Sequence, residues 1–178
     1  MKCFKCEDAI GFIGHLSQRF CNSCGTMLVS EENTKSYDSI TFEWVKNAIA
    51  SFGWYIIEDD GEGLGVGKSD KRVDMVILLD GLKDRRISLV WGFRVNKQFR
   101  KKINELLELI NNANRMNSRT KFVLAPSEGG VIDVCAGADI YVCEKISAKD
   151  VVEYMELFII ETNYIVKESS LSDCLEKQ

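Results

Sequence analysis

Four cysteines near the start of the chain carry the clearest chemistry in the sequence. Cys3 and Cys6 form one C-x2-C pair and Cys21 and Cys24 a second, while Cys135, Cys143 and Cys174 are scattered. Two intervening residues let a tight turn aim both sulfurs at one ion, and two such knuckles supply the four thiolates of a closed tetrahedral zinc site. In Cys21-Asn22-Ser23-Cys24-Gly25 the glycine can take the positive φ that lets backbone N–H groups approach the sulfurs. The first knuckle, Cys3-Phe4-Lys5-Cys6, is followed by Glu7 and departs from that pattern. Four protein ligands leave no position open for substrate or activated water, so the expected cofactor is one structural Zn2+ per chain, not a catalytic one. A redox reading would need the motif to open a helix within a βαβ unit, and no helical periodicity follows Cys6 or Cys24. His15, the only histidine, could replace a thiolate, but four cysteines already complete the shell and it reads as a loop residue.

Between the knuckles, the 14 residues from Glu7 to Phe20 carry Ile10, Phe12 and Ile13 before Gly14, enough for a short hairpin. Residues 1–30 thus resemble a zinc ribbon. A segment of this length cannot bury enough apolar surface to fold alone, and bound zinc, worth about 10–16 kcal/mol in small fingers, supplies the missing free energy.

Other apparent motifs fail on inspection. The run from Asp60 to Ser69 imitates a phosphate loop, but the first glycine of G-x-x-x-x-G-K-[ST] falls on Glu62, which would repel a nucleotide's phosphates. Its glycines recur every second residue, which suits one bare face of a strand after an Asp60-Gly61 turn. Glu58, Asp59, Asp60 and Glu62 do not make a calcium loop, because Ile56 occupies the first-ligand position implied by Gly61. No serine lies in G-x-S-x-G, and the one histidine sits in the metal module, which leaves no His-assisted nucleophile in the main domain.

The elements that follow read as a linker over 31–39, a main domain over 40–166 and a flexible tail over 167–178. Thr41 is a helix N-cap before Phe42, Val45, Ile49 and Phe52, with Gly53 as the stop. Strands are expected at Trp54 to Glu58, Leu64 to Lys68, Val73 to Leu79 and Arg86 to Phe93. In the last, Ile87, Leu89, Trp91 and Phe93 alternate with Ser88, Val90 and Gly92. A helix carries Phe99, Ile103, Leu106, Leu107, Ile110 and Ala113 on one stripe. Strands at Lys121 to Ala125 and Val131 to Cys135, extended through Ile140 to Val142, precede a final helix capped by Ser147 with Asp150. The order α-β-β-β-β-α-β-β-α with short turns predicts an α+β fold: an antiparallel sheet with helices packed on it, behind the small N-terminal zinc ribbon.

Composition and charge narrow the function. The chain has 178 residues, 46% of them hydrophobic, 28% charged and a single proline, which is the balance of a folded globular protein. No stretch approaches the roughly 18 apolar residues of a membrane span, and Lys2 and Lys5 are not followed by the apolar run of a signal peptide. The chain is therefore expected to be soluble and cytoplasmic, with no membrane partner. Residues 85–102 hold seven cations and no acid, whereas residues 127–178 hold four basic and eleven acidic side chains. Arg94, Lys97, Arg100, Lys101 and Lys102 are the candidate partner-binding residues; they sit at the start of a helix, where cations oppose the dipole. Residues 1–30 carry three basic and two acidic side chains and a four-thiolate zinc adds further negative charge, so the ribbon is not electropositive. The pI of about 5.2 argues the same way against nucleic acid.

From Ile40 to Ile165 the chain resembles the YbjN family, whose fold is similar to that of type III secretion chaperones. The resemblance rests on "FGW" at the end of the first helix, "SLVWGF" in a strand, "INELLELINNAN" in the central helix and "KFVLAPSEGGVIDVCAGAD" before the last helix. It implies a dimeric, protein-binding scaffold and no residue-level site. The final helix also carries Val151, Val152, Met155, Phe158 and Ile159 together with Tyr154, Leu157 and Ile160, more apolar circumference than a one-sided surface helix needs, so a second subunit or another layer of the fold is expected to cover part of it. The expected function is a non-catalytic protein-binding or chaperone-like adaptor with a structural zinc; the alternative is a zinc-ribbon nucleic-acid-binding regulator.

Overall fold

The computed structural model of the protein describes residues 34–36, 39–79, 85–116, 119–126, 132–142 and 145–176. A ten-residue helix, α1 (Phe42–Ser51), starts where Thr41 Oγ1 accepts the Trp44 N–H at 3.2 Å. It ends at Phe52 and at Gly53, whose φ of 80° is one that a glycine adopts without strain. Four strands follow as a meander: β2 (Tyr55–Asp59), β3 (Gly63–Gly67), β4 (Met75–Leu78) and β5 (Arg86–Arg94), before helix α2 (Ile103–Met116). The chain then lays down β6 (Lys121–Pro126) at the far edge and returns through β7 (Ile132–Tyr141), which inserts between β5 and β6. The resulting six-stranded sheet is antiparallel throughout, in the order β2-β3-β4-β5-β7-β6.

Helix α3 (Ala148–Glu168) opens on the expected capping box: Ser147 Oγ accepts the Asp150 N–H at 3.1 Å and the Asp150 carboxylate accepts the Ser147 N–H at 2.9 Å. Period-two alternation sorts the sheet. Leu64, Val66, Met75, Ile77, Ile87, Leu89, Val134, Ala136 and Ile140 point to one side and form a single core with Val45, Ile49, Leu106, Ile110, Met155 and Phe158 from the three helices. The α+β architecture is therefore as expected. Among the described residues no helix is long and apolar enough to cross a membrane.

Four expectations need correction. The linker over 31–39 contains a short strand, β1 (Thr34–Ser36), which pairs antiparallel with β8 (Lys145–Ser147) just before α3. The central helix begins at Ile103, not Phe99. Residues 97–101 form turns; a helix started at Phe99 would place Arg100, Lys101 and Lys102 in its positive first turn. Ile103 and Leu107 consequently lie exposed instead of on the buried stripe.

The segment expected to be a flexible tail is part of the fold. Helix α3 runs on to Glu168, a 3-10 turn covers Leu171–Cys174, and Leu171, Cys174 and Leu175 are buried in the core. Asn96 receives this segment by donating its backbone N–H to the Cys174 carbonyl at 2.8 Å and its side-chain amide to the Leu175 carbonyl at 2.9 Å. The Glu176 N–H donates to the Arg94 carbonyl at 2.8 Å.

The alternating glycines of β3 do line one face, but that face is not bare. The chain over 68–74 folds back onto it. A Cβ at Gly67 would overlap the Arg72 carbonyl oxygen, and one at Gly65 would stand 3.0 Å from Glu58 Cβ and 3.2 Å from Val73 Cγ2. Lys68 does not face a phosphate: its Nζ lies 2.7 Å from Glu156 Oε1 and 4.0 Å from the centre of the Trp54 ring.

Candidate functional site

The four expected zinc ligands, Cys3, Cys6, Cys21 and Cys24, lie outside the described residues. Cys135 on β7 and Cys174 in the 3-10 turn are free thiols, and burial pushes both above the ordinary thiol range, so they are protonated at neutral pH and weak nucleophiles. Among the described residues no three His, Cys, Asp or Glu side chains converge on a common point.

The acidic turn is occupied with its own folding. Asp60 Oδ1 accepts the backbone N–H groups of Glu62 and Gly63 at 2.9 and 2.7 Å, which holds its carboxyl below the usual range. Asp59, held low by its 2.8 Å hydrogen bond from Lys46, ties the turn to α1. Both are lowered groups, so their contribution to stability is present above the ordinary carboxylate range and is lost as pH falls through their folded values.

The basic segment divides into anchored and unanchored side chains. Arg100 is a structural strut: its Nε donates to the Val95 carbonyl at 3.1 Å and its Nη2 to Glu176 Oε1 at 3.1 Å. Lys102 pairs with Glu105 at 2.9 Å beside the Phe99 ring. Arg94, at the end of β5, and Lys97 and Lys101, in the following turns, are exposed and have no ion-pair partner among the described residues. These three exposed cations follow one another closely along the chain and make its cationic corner, with Asp133 of β7 as the cross-strand neighbour of Arg94.

Arg94 also opens onto the opposite side of the sheet, which no helix among the described residues covers. The strand registers define its rows. Val76, Val90, Gly137 and Lys121 lie side by side across β4, β5, β7 and β6, and the next row carries Gly92, Cys135 and Val123. A third row places Leu78 beside Ser88 and Asp139, where Ser88 Oγ donates to Asp139 Oδ1 at 2.7 Å. Two shallow troughs of about 700 and 360 Å³ meet at Val90 on this face. The period of two in β5 already marks Ser88, Val90 and Gly92 as facing away from the core. The same signal recurs in β7, where Asp133, Cys135, Gly137 and Asp139 alternate with buried residues.

No protein-family model and no curated protein sequence matches the chain. Solved structures do share its fold. YbjN from E. coli, proposed to be a transcription regulator, matches with a TM-score of 0.62 at 12% identity over 78% of this chain and 97% of its own. An uncharacterized protein from Methanothermobacter thermautotrophicus matches with a TM-score of 0.50 at 14% identity, over 73% of this chain and 96% of that one. At such identity the likeness is one of fold: the main domain has a YbjN-like fold.

Proposed function

We propose that the protein is a non-catalytic, protein-binding adaptor, chaperone-like in the sense of presenting recognition surface, with a structural zinc held by Cys3, Cys6, Cys21 and Cys24. The observation that carries this reading is the shallow sheet face that no described helix covers, where Val76, Val90 and Val123 stand among glycines and polar side chains, together with the exposed Arg94, Lys97 and Lys101 at the end of β5 and after it. The groups with shifted protonation support it from another side. Lys46, Asp59 and Asp60 lie together where α1 meets the turn after β2, whereas Cys135 is on β7, Tyr154 on α3 and Cys174 in the 3-10 turn. A cytoplasmic setting suits seven cysteines kept reduced.

The regulator reading of the YbjN neighbour makes nucleic acid the competing partner, with the same corner meeting phosphates. Titration with labelled single- and double-stranded oligonucleotides at physiological salt separates the two. The adaptor account expects dissociation constants no tighter than the ~10⁻⁵ M scale of non-specific contact; tight binding with a steep salt dependence would replace it.

Self-association into a homodimer belongs to the same proposal. Helix α3 buries Val151, Val152, Met155 and Phe158 within its own chain, and Ile160 and Tyr164 remain 56% and 61% exposed. That stripe supports a contact between copies. Light scattering at tens of micromolar is expected to give twice the 20.2 kDa chain mass, and a strict monomer would remove the dimer.

A further inference from the structure

We infer that the C-terminal segment is exchanged between copies: in the homodimer, residues 171–176 of each chain fill the slot that Val95, Asn96 and Arg100 offer in the other. This rests on the homodimer reading and specifies how the two copies hold each other. The segment is joined to α3 only through a two-residue hinge, Ser169–Ser170. Beyond that hinge Leu171, Cys174 and Leu175 are buried. The Asn96 N–H donates to the Cys174 carbonyl and the Glu176 N–H to the Arg94 carbonyl, each at 2.8 Å, and Arg100 pairs with Glu176 at 3.1 Å. None of these contacts depends on which chain brings the segment, so an exchanged pair keeps them all.

The hinge favours exchange. To turn the segment back against its own α3, Ser170 takes φ 61° and ψ 14°, a left-handed conformation that a serine adopts at a cost. Among the described residues only Arg85 shares a positive φ without being glycine. A helix that ran straight on through the hinge would remove this strain from both chains and carry each segment away from its own slot; short hinges under strain invite such exchange. Ser170 is exposed, and its N–H meets the Lys167 carbonyl at 3.3 Å, a long bond that a helical continuation would replace.

Helix α3 brings the two hinges together. Its exposed Ile160, Tyr164, Lys167 and Glu168 stand at i, i+4, i+7 and i+8, on one face of the turns that lead into the hinge. Tyr164 is about 7.5 Å along the axis from Ser169, at 1.5 Å per residue. A two-fold contact through this face sets the C-terminal ends of two α3 helices side by side, within reach of a segment that crosses over. Lys167 and Glu168 have no ion-pair partner among the described residues, and they give the crossing one cation and one anion from each chain, which complement each other across a two-fold axis.

The test joins the segment to its slot. Val95 and Leu175 oppose each other as a non-hydrogen-bonded antiparallel pair, whose Cα atoms lie about 4.5 Å apart, a separation that a disulfide spans. Full-length Val95→Cys/Leu175→Cys protein, unlabelled and heavy-nitrogen-labelled in equal parts, is unfolded, refolded together at tens of micromolar and oxidised with glutathione disulfide. Mass spectrometry then reads the peptides joined by the new disulfide. Exchange predicts that about half of the joined pairs carry one label of each kind, and that Ser170→Gly, which relieves the closed hinge, lowers this share at least about threefold. Joined pairs of like label alone, or a mixed share that Ser170→Gly leaves unchanged, overturn the inference. If light scattering still gives a dimer in that case, the homodimer reading stands on another contact; a strict monomer removes both. Should the cysteine variant fail to fold, the ion pair decides. Arg100→Glu and Glu176→Arg are each expected to lower the melting temperature by about 2–4 °C, and the double variant to regain part of the loss. Exchange predicts that the two single variants, refolded together, melt with the double variant, because each segment finds its complement in the other chain; a mixture that keeps the midpoints of the single variants overturns it.

Discussion

A chain ended after Ser169 is expected to lose about 4 kcal/mol or more of stability and to populate unfolded states at room temperature. Deleting residues 170–178 removes Leu171 and Leu175, both buried, and each such leucine contributes about 1.5–3 kcal/mol by burial. It also removes the carbonyls that Asn96 engages, at 2.8 Å from its backbone N–H and at 2.9 Å from its side chain, and leaves that buried corner unsatisfied. Arg100 loses Glu176, its partner at 3.1 Å, and with it part of what fixes the turns ahead of α2. Against an ordinary domain stability of about 5–15 kcal/mol this is a large fraction. The point variant Leu171→Ala separates core packing from chain length and is expected to cost about 2–5 kcal/mol, read from the urea midpoint at unchanged slope. Truncation without a shift of the midpoint would show that the segment adds nothing to the core.

The second large effect is on metal content. Protein purified without chelator is expected to carry about one zinc per chain, and replacing Cys21 by serine to lower that to a small fraction, because three thiolates leave a distorted, water-filled fourth position. The thermal midpoint of the main domain should stay within a few degrees, since the described core from Ile40 to Leu175 already joins the sheet to all three helices. Protease resistance of the first 30 residues is the sensitive reporter: zinc binding worth about 10–16 kcal/mol is the folding free energy of so small a segment. Elemental analysis finding no zinc in the wild-type protein would end the metal proposal.

What the sequence revealed follows from how local its causes are. Thr41, Gly53 and the Ser147–Asp150 box act within one turn of chain, so α1 and the start of α3 lie where residue types alone place them. Strand β5 was equally clear, because a period of two in Ile87, Leu89, Trp91 and Phe93 is set by one buried face. The C-terminal segment reads as a tail although Leu171, Cys174 and Leu175 stand at spacings of three and one. Its order depends on Asn96, nearly eighty positions away, and no local pattern reports such a partner. Arg100 and Lys101 look alike in the sequence and differ in the structure for the same reason, since only Arg100 meets Glu176. The sheet face that no described helix covers is half legible. Alternation marked Val90 and Gly92 as outward, but which strands bring Val76 and Val123 beside them depends on β7 inserting between β5 and β6, a matter of topology rather than composition.

The central claim is that the cationic corner and the face beside it bind protein. Arg94, Lys97 and Lys101 are exposed and anchor nothing among the described residues, so reversing all three to glutamate should change the melting temperature little. The direct measurement is quantitative mass spectrometry of proteins captured from the native host by wild-type protein and by this triple variant at physiological salt. The account predicts at least one partner held by the wild type and depleted about tenfold or more by the variant, with nuclease treatment making no difference. Identical captured sets from the two proteins, or a set that vanishes on nuclease treatment, would contradict it.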